Sequence, residues 1–85
     1  MQERPDPFRS ISRAVLAVLA DEGRPMSLRE LEAHERLADE QPARQLAVAR
    51  MAGFVRPLLA GAALEPLYQP TPLGMQIARR ARRAA

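Results

Sequence analysis

The chain has 85 residues, which is enough for one domain with a modest hydrophobic core. It contains no cysteine, so disulfides, thiolate metal sites and cysteine nucleophiles are excluded. Aliphatic residues are abundant and only three residues are aromatic, a composition that favours packed helices over a large sheet.

Charge is distributed unevenly along the chain. All 13 basic residues are arginine, and the formal net charge is +3. Residues 21–40 hold seven acidic residues and three arginines, whereas residues 41–85 hold seven arginines and one acidic residue. The second half is therefore the candidate for binding a polyanion. The arginine cluster at 79–83, taken alone, fits a solvated basic tail equally well.

No targeting segment or membrane span is recognisable. The Pro-rich N-terminus lacks the charged-then-apolar order of a signal peptide. The longest apolar run, residues 14–20, is much shorter than the span of about 20 residues that crosses a bilayer. We therefore expect a soluble cytoplasmic protein, a single domain over residues 1–85 with flexible ends at 1–6 and 84–85.

The first predicted helix spans residues 7–22, where apolar residues recur at helical spacing. Asp6 is its expected N-cap, and Pro7 fits the first helical position, where a missing N–H costs nothing. Gly23 is a natural stop, since helices commonly end at a glycine.

A capping box marks the start of the second helix. Ser27 is followed three residues later by Glu30, and each side chain can bond the other's backbone N–H. This helix is predicted to run to about Arg36, and residues 37–40 are typical of a turn. Residues 24–26 are too short for more than a bridge or a one-residue strand. The side chains expected to face inward are Leu28, Leu31 and Leu37.

The third helix is predicted to begin at Pro42 and to end at Gly53. Leu46 and Ala49 lie on its core side. At 100° per residue, the opposite face carries Gln41, Arg44, Val48 and Met51, with Gln45 on its flank.

Two short strands are predicted at residues 54–59 and 66–70, joined by a turn at 60–63. Pro57 and Pro66 cannot donate a hydrogen bond in a ladder. These strands are therefore expected to be edge-type or frayed.

A fourth helix completes the chain. Thr71 is expected to cap it and Pro72 to start it, and it is predicted to reach about Ala84. Its inward residues are expected to be Leu73, Ile77 and Ala81. The predicted order is helix, helix, helix, strand, strand, helix, which is a mainly α, α+β domain with a small hairpin.

Three stretches of this chain are distinctive in order and spacing. They are residues 26–31 (Met-Ser-Leu-Arg-Glu-Leu), residues 46–55 (Leu-Ala-Val-Ala-Arg-Met-Ala-Gly-Phe-Val) and residues 67–74 (Leu-Tyr-Gln-Pro-Thr-Pro-Leu-Gly). Together they resemble the winged helix-turn-helix superfamily, particularly the small bacterial regulators of the MarR and PadR type. The resemblance places them at the second helix, at the recognition helix with its following glycine, and at the second wing strand. Pro70 and Ala49 depart from the family, which more often has an aliphatic strand residue and a leucine there.

The resemblance implies a double-stranded DNA-binding protein whose third helix enters the major groove. The residues expected to read bases are Gln41, Arg44, Gln45 and Val48. Arginine matches the two acceptors of guanine, glutamine can pair with adenine, and valine can meet a thymine methyl. The residues expected to contact phosphates are Ser27, Arg29, Arg50 and Arg56. Ser27 is equally well explained as a plain helix cap.

Two features keep a second interpretation open. The second helix and the turn after it are acidic, and phosphates repel acids that face them. The expected wing, residues 58–64, carries no charge, so it suits a protein surface better than a minor groove. The alternative is a winged-helix protein–protein interaction module, with partner or dimer contacts at Leu58, Leu59 and Leu64. The favoured case combines both, as a homodimer whose two recognition helices lie about 34 Å apart on DNA.

Enzymatic and metal-binding functions are not expected. The chain has no Gly-rich phosphate loop and no nucleophile elbow, and we expect no cofactor. His34 has Glu32, Glu35 and Asp39 nearby, but this spacing of acids is more typical of a solvated helix face than of a metal site. An RNA role is a third possibility, although RNA-binding modules usually stack aromatic residues on a sheet. The predicted protein is a nucleoid-associated transcriptional regulator or a plasmid or phage DNA-maintenance factor.

Overall fold

The computed structural model describes the backbone of residues 7–59 and 65–84, and the side chains of residues 10–59 and 65–80. In chain order the elements are α1 (Pro7–Glu22), β1 (Met26–Ser27), α2 (Leu28–Ala33), one turn of 3₁₀ helix (Glu35–Leu37), α3 (Pro42–Met51), β2 (Val55–Leu58), β3 (Leu67–Pro70) and α4 (Pro72–Ala84). None of these helices is long and apolar enough to cross a bilayer. The expected cap Asp6 and the expected turn at 60–63 lie outside the described residues.

The four predicted helices and the two predicted strands are confirmed, but the sheet has a third strand. It is antiparallel in the order β1-β3-β2. Met26 pairs with Tyr68 on one side of β3, and Pro57 pairs with Tyr68 on the other. Of residues 24–26 only Met26 lies in a strand, as expected, although β1 also includes Ser27. β3 is the central strand, so the edge position expected for it was wrong. Pro70 is tolerated because it lies at the end of β3, beyond the pairing with β1.

The second helix is shorter than predicted. α2 ends at Ala33, because His34 leaves the helix and its Nδ1 accepts a hydrogen bond from the backbone N–H of Arg36 at 3.2 Å. A separate 3₁₀ turn follows and buries Leu37. The capping box at the start of the helix is confirmed, since Ser27 and Glu30 bond each other's backbone.

The core forms around α1, which packs against both α3 and α4. The buried side chains include Val15, Leu16, Val18, Leu19, Leu31, Leu37, Leu46, Ala49, Phe54 and Ile77. Leu28 is half-buried at the edge of this core. Leu73 is 42% exposed, so its predicted inward orientation was wrong. The side chain of Ala81 lies outside the described part of the chain.

The junction between the sheet and α4 is tightly packed around Thr71. Its Oγ1 donates to the carbonyl oxygen of Gly53 at 2.6 Å and accepts from the backbone N–H of Gly74 at 3.2 Å. Its own N–H donates to the carbonyl oxygen of Phe54 at 2.9 Å. Gly53 has a φ of +80°, a conformation that favours glycine. These bonds fix the exit of α3 relative to the start of α4.

Candidate nucleic-acid interface

The outer face of α3 is the candidate interface. Leu46 and Ala49 point into the core. On the other side, the exposed residues of the helix are Ala43, Arg44, Ala47, Arg50 and Met51, with Gln41 exposed just before it. The segment is therefore helical, with its aliphatic side hidden and its arginine-bearing side facing outward.

Charge on this helix has one sign. α3 contains two arginines, Arg44 near its start and Arg50 in its last turn, and no acidic residue. Pro42 occupies the first turn, where the missing N–H removes no helical bond. Arg44 is exposed, so its guanidinium is free to meet an anionic or acceptor-rich surface.

Gln45 does not lie on the exposed face, and its expected role in reading bases is therefore corrected. The residue is only 6% exposed. Its Oε1 accepts from the backbone N–H of Val15 in α1 at 3.1 Å, and its Nε2 donates to Glu40 Oε2 at 2.9 Å. Both ends of the amide are thus used inside the protein, because buried polar groups need partners. Gln45 holds α3 against α1 rather than contacting a ligand.

The expected phosphate contacts divide into two groups. The side chain of Ser27 is engaged in the capping box, and the residue is only 3% exposed, so the plain cap describes it better than a phosphate ligand. Arg29, Arg50 and Arg56 are all exposed. Only these three keep the accessibility that a phosphate contact requires.

Arg56 has an ordered setting on the sheet. It faces Gln69 across the β2–β3 ladder. With the Gln69 amide turned so that its oxygen faces Arg56, that oxygen accepts from Nη2 at 2.6 Å and from Nε at 2.8 Å. The guanidinium is therefore held by two bonds, while its remaining N–H groups stay available.

Acidic residues border the start of α3. Asp39, Glu40 and Gln41 line a shallow hollow together with Arg44. Asp39 and Glu40 are exposed, so their charges weaken the positive potential at this end of the helix. Glu30 is more distant in the chain and is held by Arg24 at 2.8 Å. Its hydrogen bond from the Ser27 backbone, and then the one from Arg24, lower the pKa of the Glu30 carboxyl.

The outer face of α3 also includes two residues that were not predicted to read bases. Ala47 was not among the predicted site residues, and Met51 was predicted to lie on this face without a base-reading role. Met51 is 81% exposed. A helical wheel centred on Arg44 would have found both, since they lie within about 60° of it at 100° per residue. Val48, which was selected, is half-buried on the flank of the face.

The apolar residues of the expected wing are only partly described. Leu59, directly after β2, is 83% exposed, and Leu58, the last residue of β2, is half-buried. Leu64 lies outside the described residues. A large apolar side chain this exposed is available for contact with another surface.

His34 has partners within the protein. Its Nε2 lies 3.0 Å from Glu22 Oε1, and its Nδ1 accepts the Arg36 N–H described above. Across the described residues, no group of three histidine, aspartate or glutamate side chains is placed to hold a metal ion.

The arrangement of these helices and strands is that of a winged helix. The fold is similar to that of the winged-helix protein ZitR of Lactococcus lactis, solved as a cysteine-to-serine mutant, with a TM-score of 0.70 and 13% sequence identity. The match covers 98% of this chain and 56% of ZitR, so the chain spans little more than half of that protein's length. No family model matches the chain, and no curated protein matches it by sequence. The winged-helix fold predicted from the sequence is confirmed, and at this identity the likeness concerns the fold alone.

Proposed function

We propose that this protein binds double-stranded DNA with α3 in the major groove, as a regulator of the MarR or PadR type or as a plasmid or phage DNA-maintenance factor in the bacterial nucleoid. One observation carries the proposal. In a winged-helix fold, the third helix presents an exposed face with two arginines and no acidic residue. That is the element which helix-turn-helix proteins insert into the groove.

The outward residues have distinct proposed roles. Arg44 reads a base, because its planar fork fits the O6 and N7 acceptors of guanine. Gln41 and Val48 read neighbouring base edges. Arg29, Arg50 and Arg56 contact phosphates, which fixes the position of the protein without reading sequence. Gln45 and Ser27 support this surface from within.

We propose that the protein acts as a homodimer, because one small domain offers a short reading surface. Twofold symmetry would place two α3 helices about 34 Å apart and would require a near-palindromic site. Two surfaces are candidates for the contact. One is the exposed Leu59. The other is a groove of 570 Å³ beside α1, whose lining includes Ala17 and Met75 and also the charged side chains Arg13, Asp21, Arg36, Glu40 and Arg79. Light scattering on the purified protein distinguishes a dimer from a monomer.

Titration of random and genomic duplexes at several salt concentrations tests DNA binding directly. The logarithm of the affinity should fall linearly with the logarithm of the salt concentration. Arg44→Ala should reduce selectivity between sequences. Arg44→Lys is its matched control, since it retains the charge but loses the bidentate fork, and it should preserve non-specific affinity while also losing selectivity.

Arg56→Ala should behave differently from the Arg44 variants. It should weaken binding to all duplexes alike. It should also make the slope of log affinity against log salt concentration shallower by about one. No binding to any duplex at low salt would refute the proposal.

The second candidate function is a protein-interaction module, favoured by the exposure of Leu59. Under this alternative, Leu59→Ser abolishes capture of a defined protein partner while Arg44→Ala has no effect. Under the DNA-binding proposal, Arg44→Ala impairs the binding of duplex DNA. The two variants therefore separate the functions in one pair of assays.

A further inference from the structure

Apart from its two arginines, the exposed face of α3 is mostly apolar. Beside Arg44 it presents Ala47, Val48 and Met51, none of which can donate or accept a conventional hydrogen bond to a base edge. Of these, Met51 is the most exposed and Val48 is half-buried. These three side chains therefore cannot discriminate bases by their polar groups.

We infer that Ala47, Val48 and Met51 form a methyl-reading face that selects thymine beside the base contacted by Arg44. Thymine alone among the four bases presents a methyl group in the major groove, where apolar side chains contact it. The inference rests on the proposed DNA binding and specifies which bases the helix prefers. Arg44, which precedes this face, and Arg50, which adjoins Met51, favour a polyanionic partner over an apolar protein surface.

The spacing along the helix predicts where the thymines lie. An α-helix rises about 1.5 Å per residue, so Val48 lies about 6 Å and Met51 about 10 Å from Arg44 along the axis. Base pairs are stacked about 3.4 Å apart. With the helix axis along the groove, the thymines fall about two and three base pairs from the guanine that Arg44 contacts.

The test begins with duplexes selected from a random pool by the full chain. The enriched duplex is then remade with deoxyuridine in place of thymidine at one position at a time, which removes only the methyl group. Uracil at the two predicted positions should weaken binding about fourfold each, the effect of withdrawing one methyl from an apolar contact. Uracil elsewhere in the same duplex should change affinity less than about 1.5-fold and serves as the internal control.

Variants assign the methyl contact to particular residues. Met51→Gln replaces an exposed thioether with an amide of similar length. For this variant, the affinity for the thymine duplex divided by that for the uracil duplex should fall to about one at the more distant position. Arg50→Gln is the control: it should weaken both duplexes alike and leave the ratio unchanged, because a phosphate contact does not depend on the base.

The outcomes separate this inference from the proposed function. Selection of a defined duplex that tolerates uracil at every position overturns the methyl-reading face and leaves DNA binding intact. If the Met51→Gln variant still prefers thymine over uracil at the more distant position, the assignment of that contact to Met51 is overturned. Failure to enrich any duplex at low salt overturns the proposed function and the inference together.

Discussion

The side chain of Gln45 in α3 accepts a hydrogen bond from the backbone N–H of Val15 in α1, at 3.1 Å within the core. Its other end donates to Glu40, the residue that precedes the exposed face by one position. A single amide therefore connects the central helix of the core to the beginning of the candidate interface. The orientation of α3 depends on this link as well as on the packing of Leu46 and Ala49.

Replacing Gln45 tests whether it supports α3 or reads bases. Gln45→Met keeps a similar volume but removes both hydrogen bonds, and we expect it to lower the free energy of unfolding by about 1–3 kcal/mol. Urea denaturation measures this change. The preference between duplexes should be the same as for the unmodified protein. A variant of unchanged stability that prefers different bases would contradict the supporting role.

The close approach of α4 to Phe54 leaves no room for a side chain at Gly74. A Cβ at this position would lie far inside van der Waals contact with the Phe54 carbonyl oxygen, and backbone atoms cannot move aside as a flexible side chain does. Gly74→Ala should lower the free energy of unfolding by about 1–3 kcal/mol or more, although alanine ordinarily stabilises a helix. Thermal denaturation measures the loss. Gln76→Ala, at an exposed position of the same helix, should be neutral or slightly stabilising.

The capping box of α2 makes part of the stability depend on pH. The pKa of Glu30 is lowered from its ordinary value of 4.5, mainly by the Ser27 backbone N–H and then by Arg24. A carboxyl whose pKa is lower in the folded state stabilises the fold above its unfolded pKa, and this contribution is lost as pH falls through the folded pKa. Glu30→Gln should therefore be less stable than the unmodified protein at neutral pH, and the difference should vanish below the folded pKa of Glu30.

Ser27→Ala provides the comparison for that pH series. The Ser27 hydroxyl accepts a hydrogen bond from the Glu30 N–H whether or not the Glu30 carboxylate is charged. Loss of this hydroxyl should lower the free energy of unfolding by about 1 kcal/mol at both neutral and acidic pH. If the Glu30→Gln difference were equally independent of pH, the charge on Glu30 would not contribute to the cap.

Local signals account for what the sequence predicts well. Pro42 and Gly53 bound α3, and the spacing of Ser27 and Glu30 marks the start of α2, because caps and helix breakers act within a few residues. The winged-helix order follows from these elements. β1 has no such signal. Its two residues form a strand only because they pair with Leu67 and Tyr68, about forty positions away in the chain.

The candidate site is less completely predictable for the same reason. Gln45 lies on the flank of a helical wheel, and its polarity indicates an exposed residue. Its burial depends on Val15 supplying a backbone N–H from another helix, which only the tertiary structure determines. Arg44 could be predicted to be exposed because its neighbours Leu46 and Ala49 define the buried side directly.

The acidic border of α3 should weaken the binding of duplex DNA. Asp39 lines the hollow beside Arg44 and is exposed, so it repels phosphates that approach the start of the helix. Asp39→Asn should strengthen duplex binding about two- to threefold at low salt, the scale of one surface charge interaction. The gain should shrink as salt is added, because screening shortens the range of the repulsion. Glu32→Gln removes the same charge from an exposed position on α2 that does not line the hollow, and it should have a smaller effect in the same titration. Equal gains from the two variants would mean that net charge, rather than the position of Asp39 beside Arg44, controls the affinity.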